Sequence, residues 1–134
     1  MKTDSAQGSA RQYTVPALPI EPYARRQFVA RLGEDLAVGF LEAAGAIILG
    51  RNIRAGRGEI GVLARVGTAR VTVEVKTVVA FLGRGDAIGQ FSHNKARTVR
   101  RSARLLSKPV YRVDLIGVTL YEHTADLLWV PFAA

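Results

Sequence analysis

Cysteine is absent from the sequence, which excludes disulfide bonds and thiolate metal ligands. The 134 residues must therefore be held together by apolar packing, for which a hydrophobic content of 49% is sufficient in one domain. Long hydrophobic runs are absent too: residues 43–49 and 115–120 fall far short of the roughly 20 residues of a membrane-spanning helix. No apolar segment follows a basic start at the N-terminus, so we expect a cytoplasmic protein without a membrane partner.

Acidic residues are too few to balance the basic ones. The chain has 19 Lys and Arg residues against 11 Asp and Glu residues, which gives a net charge of +8. Most of this excess lies within residues 84–108, where Asp86 is the only acidic residue. Because Lys and Arg bind phosphates and release counterions, this uneven distribution favours a binding surface for a polyanion over general solvation.

The sequence shows no base-reading motif such as a zinc finger or a ribonucleoprotein aromatic pair. The only two histidines, His93 and His123, are far apart and do not form a paired metal-ligand motif. Trp129, the only tryptophan, lies in an apolar segment, which favours core packing over base stacking. We therefore expect recognition of the nucleic-acid backbone and shape, without strong sequence preference and with a steep dependence on salt.

The first helix is predicted to begin at Pro22 and to end at Gly45. Apolar residues recur at every fourth position from Phe28 to Phe40, which is typical of a helix with one buried face. Proline is favoured at the first helical position, and glycine is favoured just after the last. Residues 1–20, rich in Ser, Gln, Gly and Pro, predict a mobile tail that precedes this helix.

Short apolar runs separated by glycine predict five strands. They are residues 47–49, 60–64, 71–79, 113–120 and 127–130. A short turn at residues 66–68 joins the second and third strands in a hairpin, and a Gly-rich loop follows at residues 81–89. The element order αβββαβ predicts an α/β fold, with a mixed central sheet flanked by helices in a single domain of residues 21–134.

A second helix, over residues 91–107, is predicted to end before Pro109. Ala96, Val99 and Ala103 share one apolar face, and a row of cations with the same period lies beside it. The expected nucleic-acid-binding residues are Lys95, Arg97, Arg101, Arg104 and Lys108. The simpler alternative is a solvated face that serves solubility.

Acidic groups are expected near one lysine at the centre of the sheet. Alternation along residues 71–76 places Glu74 and Lys76 on the face opposite the valines. Position 61 is predicted to lie across the hairpin from them, and Glu34 borders the apolar stripe of the first helix. In a phosphodiesterase such acids hold Mg²⁺, and the lysine stabilises charge on the phosphoryl oxygens. A strand-edge ion pair and a solvated helix carboxylate are the simpler alternatives.

A series of short motifs runs through residues 32–120. Its members are Gly33-Glu34, Arg51-Asn52-Ile53-Arg54, Gly58-Glu59-Ile60, Val73-Glu74-Val75-Lys76, Phe81, Gly83, Lys95 and Arg112-Val113-Asp114. In this order and spacing the motifs resemble the YraN-like proteins, which look like Holliday-junction resolvases within the PD-(D/E)XK nuclease superfamily.

The resemblance implies a restriction-endonuclease-like αβββαβ core and metal-dependent cleavage of DNA, with affinity for branched structures. Carried over to this chain, it makes Glu74 a metal ligand and Lys76 the catalytic lysine. Glu34 becomes the helix acid that completes the metal site, and the implied cofactor is Mg²⁺ or Mn²⁺.

Two positions depart from the family pattern. The family reads GEID where this chain reads GEIG, so Gly61 replaces the metal-ligating aspartate, and Val78 stands where an Arg is common. We therefore favour a protein that binds DNA without cutting it and needs no cofactor. The alternatives are an active Mg²⁺- or Mn²⁺-dependent endonuclease, whose missing carboxylate is supplied by Asp86 or Glu59, and an engineered substitution at position 61.

A non-catalytic interaction module is the hypothesis from a different class. Such a module would form a homodimer through its sheet edge and would hold an acidic protein on its basic helix. A preference for branched over linear DNA would contradict it.

Overall fold

The computed structural model describes residues 10–80 and 93–133. The elements in chain order are β1 (Ala10–Thr14), α1 (Pro22–Ala43), β2 (Ile47–Ala55), β3 (Gly58–Val66), β4 (Ala69–Val79), α2 (His93–Arg104), β5 (Arg112–Leu120) and β6 (Thr124–Val130). Within these residues, neither helix combines the length and the apolar character that crossing a membrane requires.

The strands form one six-stranded sheet in the order β1-β6-β5-β4-β3-β2. β4 and β5 pair in parallel because α2 connects them, and all other neighbours are antiparallel. The predicted mixed sheet flanked by two helices is therefore confirmed, and it is consistent with a restriction-endonuclease-like core.

Helix α1 begins and ends at the predicted residues for local reasons. Pro22 occupies the first turn, and the Glu21 carboxylate accepts hydrogen bonds from the N–H groups of Tyr23 and Ala24 at 2.6 and 3.1 Å. Gly45, just past the helix end, adopts a φ of 95°, which a residue with a side chain rarely adopts.

The two helices cover opposite faces of the sheet. Val62 and Leu63 are consecutive in β3 and therefore point to opposite faces. Val62 belongs to the buried cluster that includes Phe40 of α1, whereas Leu63 belongs to the cluster that includes Ala103 of α2. Trp129 lies in the α1 cluster at 1% exposure and contacts Phe40 edge-on, with ring centroids 6.3 Å apart, so its predicted core role is confirmed.

Two strands differ from the sequence predictions. The prediction that residues 1–20 form a tail without regular structure is wrong for Ala10–Thr14, because β1 pairs with β6 at the sheet edge. An edge strand needs only one partner, so its sequence carries little apolar alternation. β2 continues past the predicted residues 47–49 to Ala55. A register shift between Ile48 and Gly50 and a φ of 53° at Asn52 interrupt the period-two pattern there.

The turns and the second helix follow the predictions more closely. Gly67, with a φ of 61°, makes the predicted hairpin turn between β3 and β4. α2 ends at Arg104, earlier than predicted, because the N–H of Leu105 bonds to Ser102 and the chain then turns toward Pro109. The predicted Gly-rich loop, with Phe81, Gly83 and Asp86, and the predicted helix start at Phe91 lie outside the described residues.

Candidate functional site

Glu34 lies close to the sheet because α1 packs tightly on β4. A Cβ atom at Gly33 would overlap the Thr77 hydroxyl, so only glycine allows this approach. The carboxylate of the next residue, Glu34, then points toward β3: its Oε2 is 3.4 Å from where a Cβ atom at Gly61 would lie. These contacts favour the interpretation in which Glu34 faces the sheet over that of a fully solvated carboxylate.

Arg51 of β2 provides the positive charge beside Glu34. Its Nη2 lies 3.0 Å from Glu34 Oε1 and 2.7 Å from Asp35 Oδ1. The hydrogen bonds to Asp35 and then Glu34 raise the pKa of Arg51 above its ordinary value, so the guanidinium stays charged. Sequence reasoning included Arg51 only as part of a motif and missed this ion pair, because the two residues belong to different elements.

Position 61 has room for a side chain. A Cβ atom at Gly61 would lie 3.4 Å from Glu34 Oε2 and 4.0 Å from the Val73 carbonyl oxygen, both ordinary contacts. Gly61 is not among the glycines with positive φ, so an L side chain is not strained there. An aspartate would thus fit, and its carboxylate would lie beside that of Glu34.

Glu74 pairs with α2 instead of with the α1 side of the sheet. Val73 and Val75, its neighbours in β4, pack in the cluster with α1, so Glu74 projects from the opposite face. Its Oε2 lies 3.2 Å from Nζ of Lys95, and the Glu74 side chain is 18% exposed. The structure therefore places Glu74 and Glu34 beside different helices, each next to a cation.

An open cleft of about 490 Å³ lies between α1 and the second half of β4. Glu34 and Lys76 both line it, together with Arg25 and Arg26 of α1, whereas Glu74 is not part of its lining. Lys76 and Glu34 thus border the same cleft. Because Thr77 faces Gly33 of α1, however, the alternation of β4 directs the Lys76 side chain, like that of Glu74, away from α1. The two arginines were not found by sequence reasoning, because their position before the apolar repeat of α1 gives no indication of a site.

α2 has the two faces that the sequence predicts. Ala96, Val99 and Ala103 are buried against the sheet. On the outer side, Arg97, Arg101 and Arg104 are exposed. Lys108 is also exposed but lies beyond the end of the helix, and Lys95 differs from the others because it is paired with Glu74.

Known protein families were compared with this chain, and the match includes the residues of this site. The model of the uncharacterised protein family UPF0102 matches residues 33–118, which contain Glu34, Gly61, Glu74 and Lys76. The chain belongs to this family. A UPF0102 protein of Pseudarthrobacter chlorophenolicus is 42% identical over 99 residues, covering 69% of this chain and 74% of the relative. One of Thermotoga neapolitana is 41% identical over 97 residues, covering 66% and 85%. The resemblance to the YraN-like proteins is thereby confirmed.

The described residues of this UPF0102 chain do not fit a Mg²⁺ or Mn²⁺ site. These ions need several hard oxygen ligands around one point. No group of three or more His, Asp or Glu residues within residues 10–80 and 93–133 is arranged to hold a metal. Glu34 and Glu74 are each paired with a cation, and Glu59 is exposed on β3 opposite Arg54. Asp86, another candidate ligand, lies outside the described residues.

Proposed function

We propose that this UPF0102 protein binds DNA through the exposed arginines of α2 and does not cleave it. The observation that carries the proposal is the row formed by Arg97, Arg101 and Arg104 on the outer side of a helix whose inner side is buried. Within the described part of the chain, no acidic side chain forms an ion pair with these three arginines. Their charge is therefore available to phosphates.

The composition of the outer face favours contacts with the DNA backbone. The outer face is dominated by Arg side chains, whose charge binds phosphates whatever the base, and the inner face of the helix is fixed against the sheet. Contacts with phosphate position a protein on DNA but carry little sequence information. We therefore expect binding that depends on DNA shape and on salt, with little dependence on base sequence.

The proposed lack of cleavage rests on Gly61, which stands where the family pattern has an aspartate. Without an aspartate there, Glu34 is paired with the Arg51 guanidinium, and Glu74 is paired with Lys95. Phosphoryl transfer in nucleases relies on a metal to activate water and to neutralise developing charge. A chain with too few metal ligands would therefore keep its surface for DNA but would not cleave the phosphodiester bond.

The DNA-binding part is tested with a matched pair of charge reversals. Arg97→Glu on α2 and Arg31→Glu on the exposed side of α1 change the net charge equally. Affinity for a labelled four-way junction and for linear duplex is measured by fluorescence anisotropy across a series of salt concentrations. We expect Arg97→Glu to weaken binding to both DNAs and to lower the salt slope by about 1, as loss of one phosphate contact does. Equal effects of the two substitutions would contradict the proposal.

Cleavage is tested on the same junction with Mg²⁺ and Mn²⁺. We expect intact DNA with the natural chain. Cutting that appears in Gly61→Asp, where the added carboxylate would lie near Glu34, would identify position 61 as the missing ligand. Cutting by the natural chain that is lost in Glu74→Ala would establish the active endonuclease instead. Affinity for junctions no higher than for heparin would favour the interaction module.

A further inference from the structure

Two large apolar side chains are exposed beside the basic helix. Leu105, directly after α2, is 56% exposed, and Tyr111, directly before β5, is 71% exposed. Exposure of single apolar residues is common, but an aromatic ring held next to a cationic surface is a typical nucleic-acid contact.

The backbone holds Tyr111 in place. Its neighbour Val110 is buried, and the Val110 N–H donates to the Ala103 carbonyl oxygen at 3.0 Å. On the other side, Arg112 makes a bidentate ion pair with the buried Asp114, at 2.9 Å for each bond. The ring of Tyr111 is therefore exposed at a fixed point, and binding there would not require a loop to become ordered.

The surroundings of the Tyr111 ring are cationic. The Arg104 guanidinium carbon lies 5.7 Å from the Tyr111 ring centroid. Arg70 donates to the carbonyl oxygen of Lys108 at 2.8 Å and so fixes the segment between α2 and β5. Among the described acidic residues, Asp114 is the nearest in sequence, and its carboxylate is fully buried.

Tyr23, a second exposed tyrosine beside an arginine, differs from Tyr111 in the charge of its neighbours. Tyr23 is 61% exposed and lies under Arg26, with 5.9 Å between the guanidinium carbon and the ring centroid. However, the Glu21 carboxylate is adjacent to Tyr23 and accepts a hydrogen bond from its N–H at 2.6 Å. A phosphate next to a base stacked on Tyr23 would be repelled by that carboxylate, whereas the residues that flank Tyr111 in the chain are Val110 and Arg112.

We infer that Tyr111, with Arg104, is a stacking site for an unpaired nucleobase. This inference rests on the proposed DNA binding and names the class of substrate. The bases of a perfect duplex stack on each other and are unavailable to the ring, whereas the unpaired bases of a flap, a gap or an opened branch point can stack on Tyr111. The cations of Arg104 and Lys108 would hold the flanking phosphates.

The experiment compares substrates with and without unpaired bases. Tyr111→Ala, Tyr111→Phe and the matched control Tyr23→Ala are tested against blunt duplex and against the same duplex with a short single-stranded flap. Stacking of one base contributes roughly 5- to 150-fold in affinity. We expect Tyr111→Ala to lose affinity for the flap by such a factor with unchanged affinity for blunt duplex, and Tyr111→Phe and Tyr23→Ala to behave like the natural protein.

A second readout is independent of overall affinity. A 2-aminopurine at each flap position in turn reports stacking through its fluorescence. One position should be quenched by the natural protein and by Tyr111→Phe, and that quenching should be absent with Tyr111→Ala. Urea unfolding of each variant shows whether the fold is retained, which we expect because the ring is exposed.

The outcomes separate this inference from the proposed function. Salt-dependent DNA binding with equal flap and duplex affinities in natural protein and Tyr111→Ala would overturn the stacking site and leave DNA binding intact. No binding to any DNA would overturn the proposed function, and the stacking site with it. A concentration-dependent dimer that Tyr111→Ala abolishes, measured by sedimentation, would show that the patch contacts a second copy of the chain and would overturn the inference as well.

Discussion

Removal of the Asp114 carboxylate should strongly reduce stability. This carboxylate is fully buried and accepts four hydrogen bonds: two from the Arg112 guanidinium, one from Trp129 Nε1 at 2.9 Å, and one from the Phe132 N–H at 3.0 Å. The Arg112 guanidinium carbon also lies 4.1 Å from the Phe132 ring centroid. One acid therefore joins β5, β6 and the segment that follows β6.

The magnitude follows from what Asp114→Ala leaves behind. The Arg112 side chain is only 16% exposed and would lose its counter-charge, and the Trp129 N–H would be buried without an acceptor. Breaking a buried ion pair by removing one partner costs about 3–5 kcal/mol. With the entropy of unfolding typical for a chain of 134 residues, this corresponds to a melting temperature lower by about 10–20 °C.

Urea unfolding followed by Trp129 fluorescence measures the change directly. The matched control is Glu122→Ala, which removes a highly exposed carboxylate that lies 3.3 Å from His123 Nε2 and should leave the free energy of unfolding nearly unchanged. If Asp114→Ala costs less than about 1 kcal/mol, or no more than the control, the reasoning about the buried carboxylate is wrong.

The remaining stability predictions concern glycines. Gly33→Ala should lower the free energy of unfolding by about 1–3 kcal/mol, because the new methyl group would overlap Thr77. Gly39→Ala in the same helix has open space around it and should raise that free energy by up to about 1 kcal/mol through helix propensity, so opposite signs are expected in urea unfolding. Gly45→Ala should cost about 1–2 kcal/mol in the same assay because of the φ of 95°, and a neutral result would contradict the left-handed cap.

Much of the fold could be predicted from the sequence because local signals agree with the global structure. Pro22 and Gly45 bound α1, Gly67 turns the β3–β4 hairpin, and the apolar runs of β4 and β5 are long because both strands lie inside the sheet. β1 was missed because an edge strand needs few apolar residues. The extension of β2 was missed because a bulge breaks its alternation.

The candidate site was harder to predict, because it depends on pairings between elements. The alternation of β4 correctly placed Glu74 opposite the valines, but it could not show that Lys95 of α2 would bind it. In the same way, the position of Glu34 in the helical repeat left its orientation open. The contact between Gly33 and Thr77 decides that orientation, and the two residues are distant in sequence.

The ion pair between Glu74 and Lys95 links the centre of the sheet to α2, the helix proposed to bind DNA. Glu74 is the residue that a geneticist would replace to obtain a catalytically inert control. Replacement with alanine would also remove the carboxylate that lies 3.2 Å from the Lys95 ammonium, which is 52% exposed and lies on the helix proposed to contact phosphate. Such a variant would have one negative charge fewer beside that helix, so tighter DNA binding would report this change in charge and not a trapped substrate.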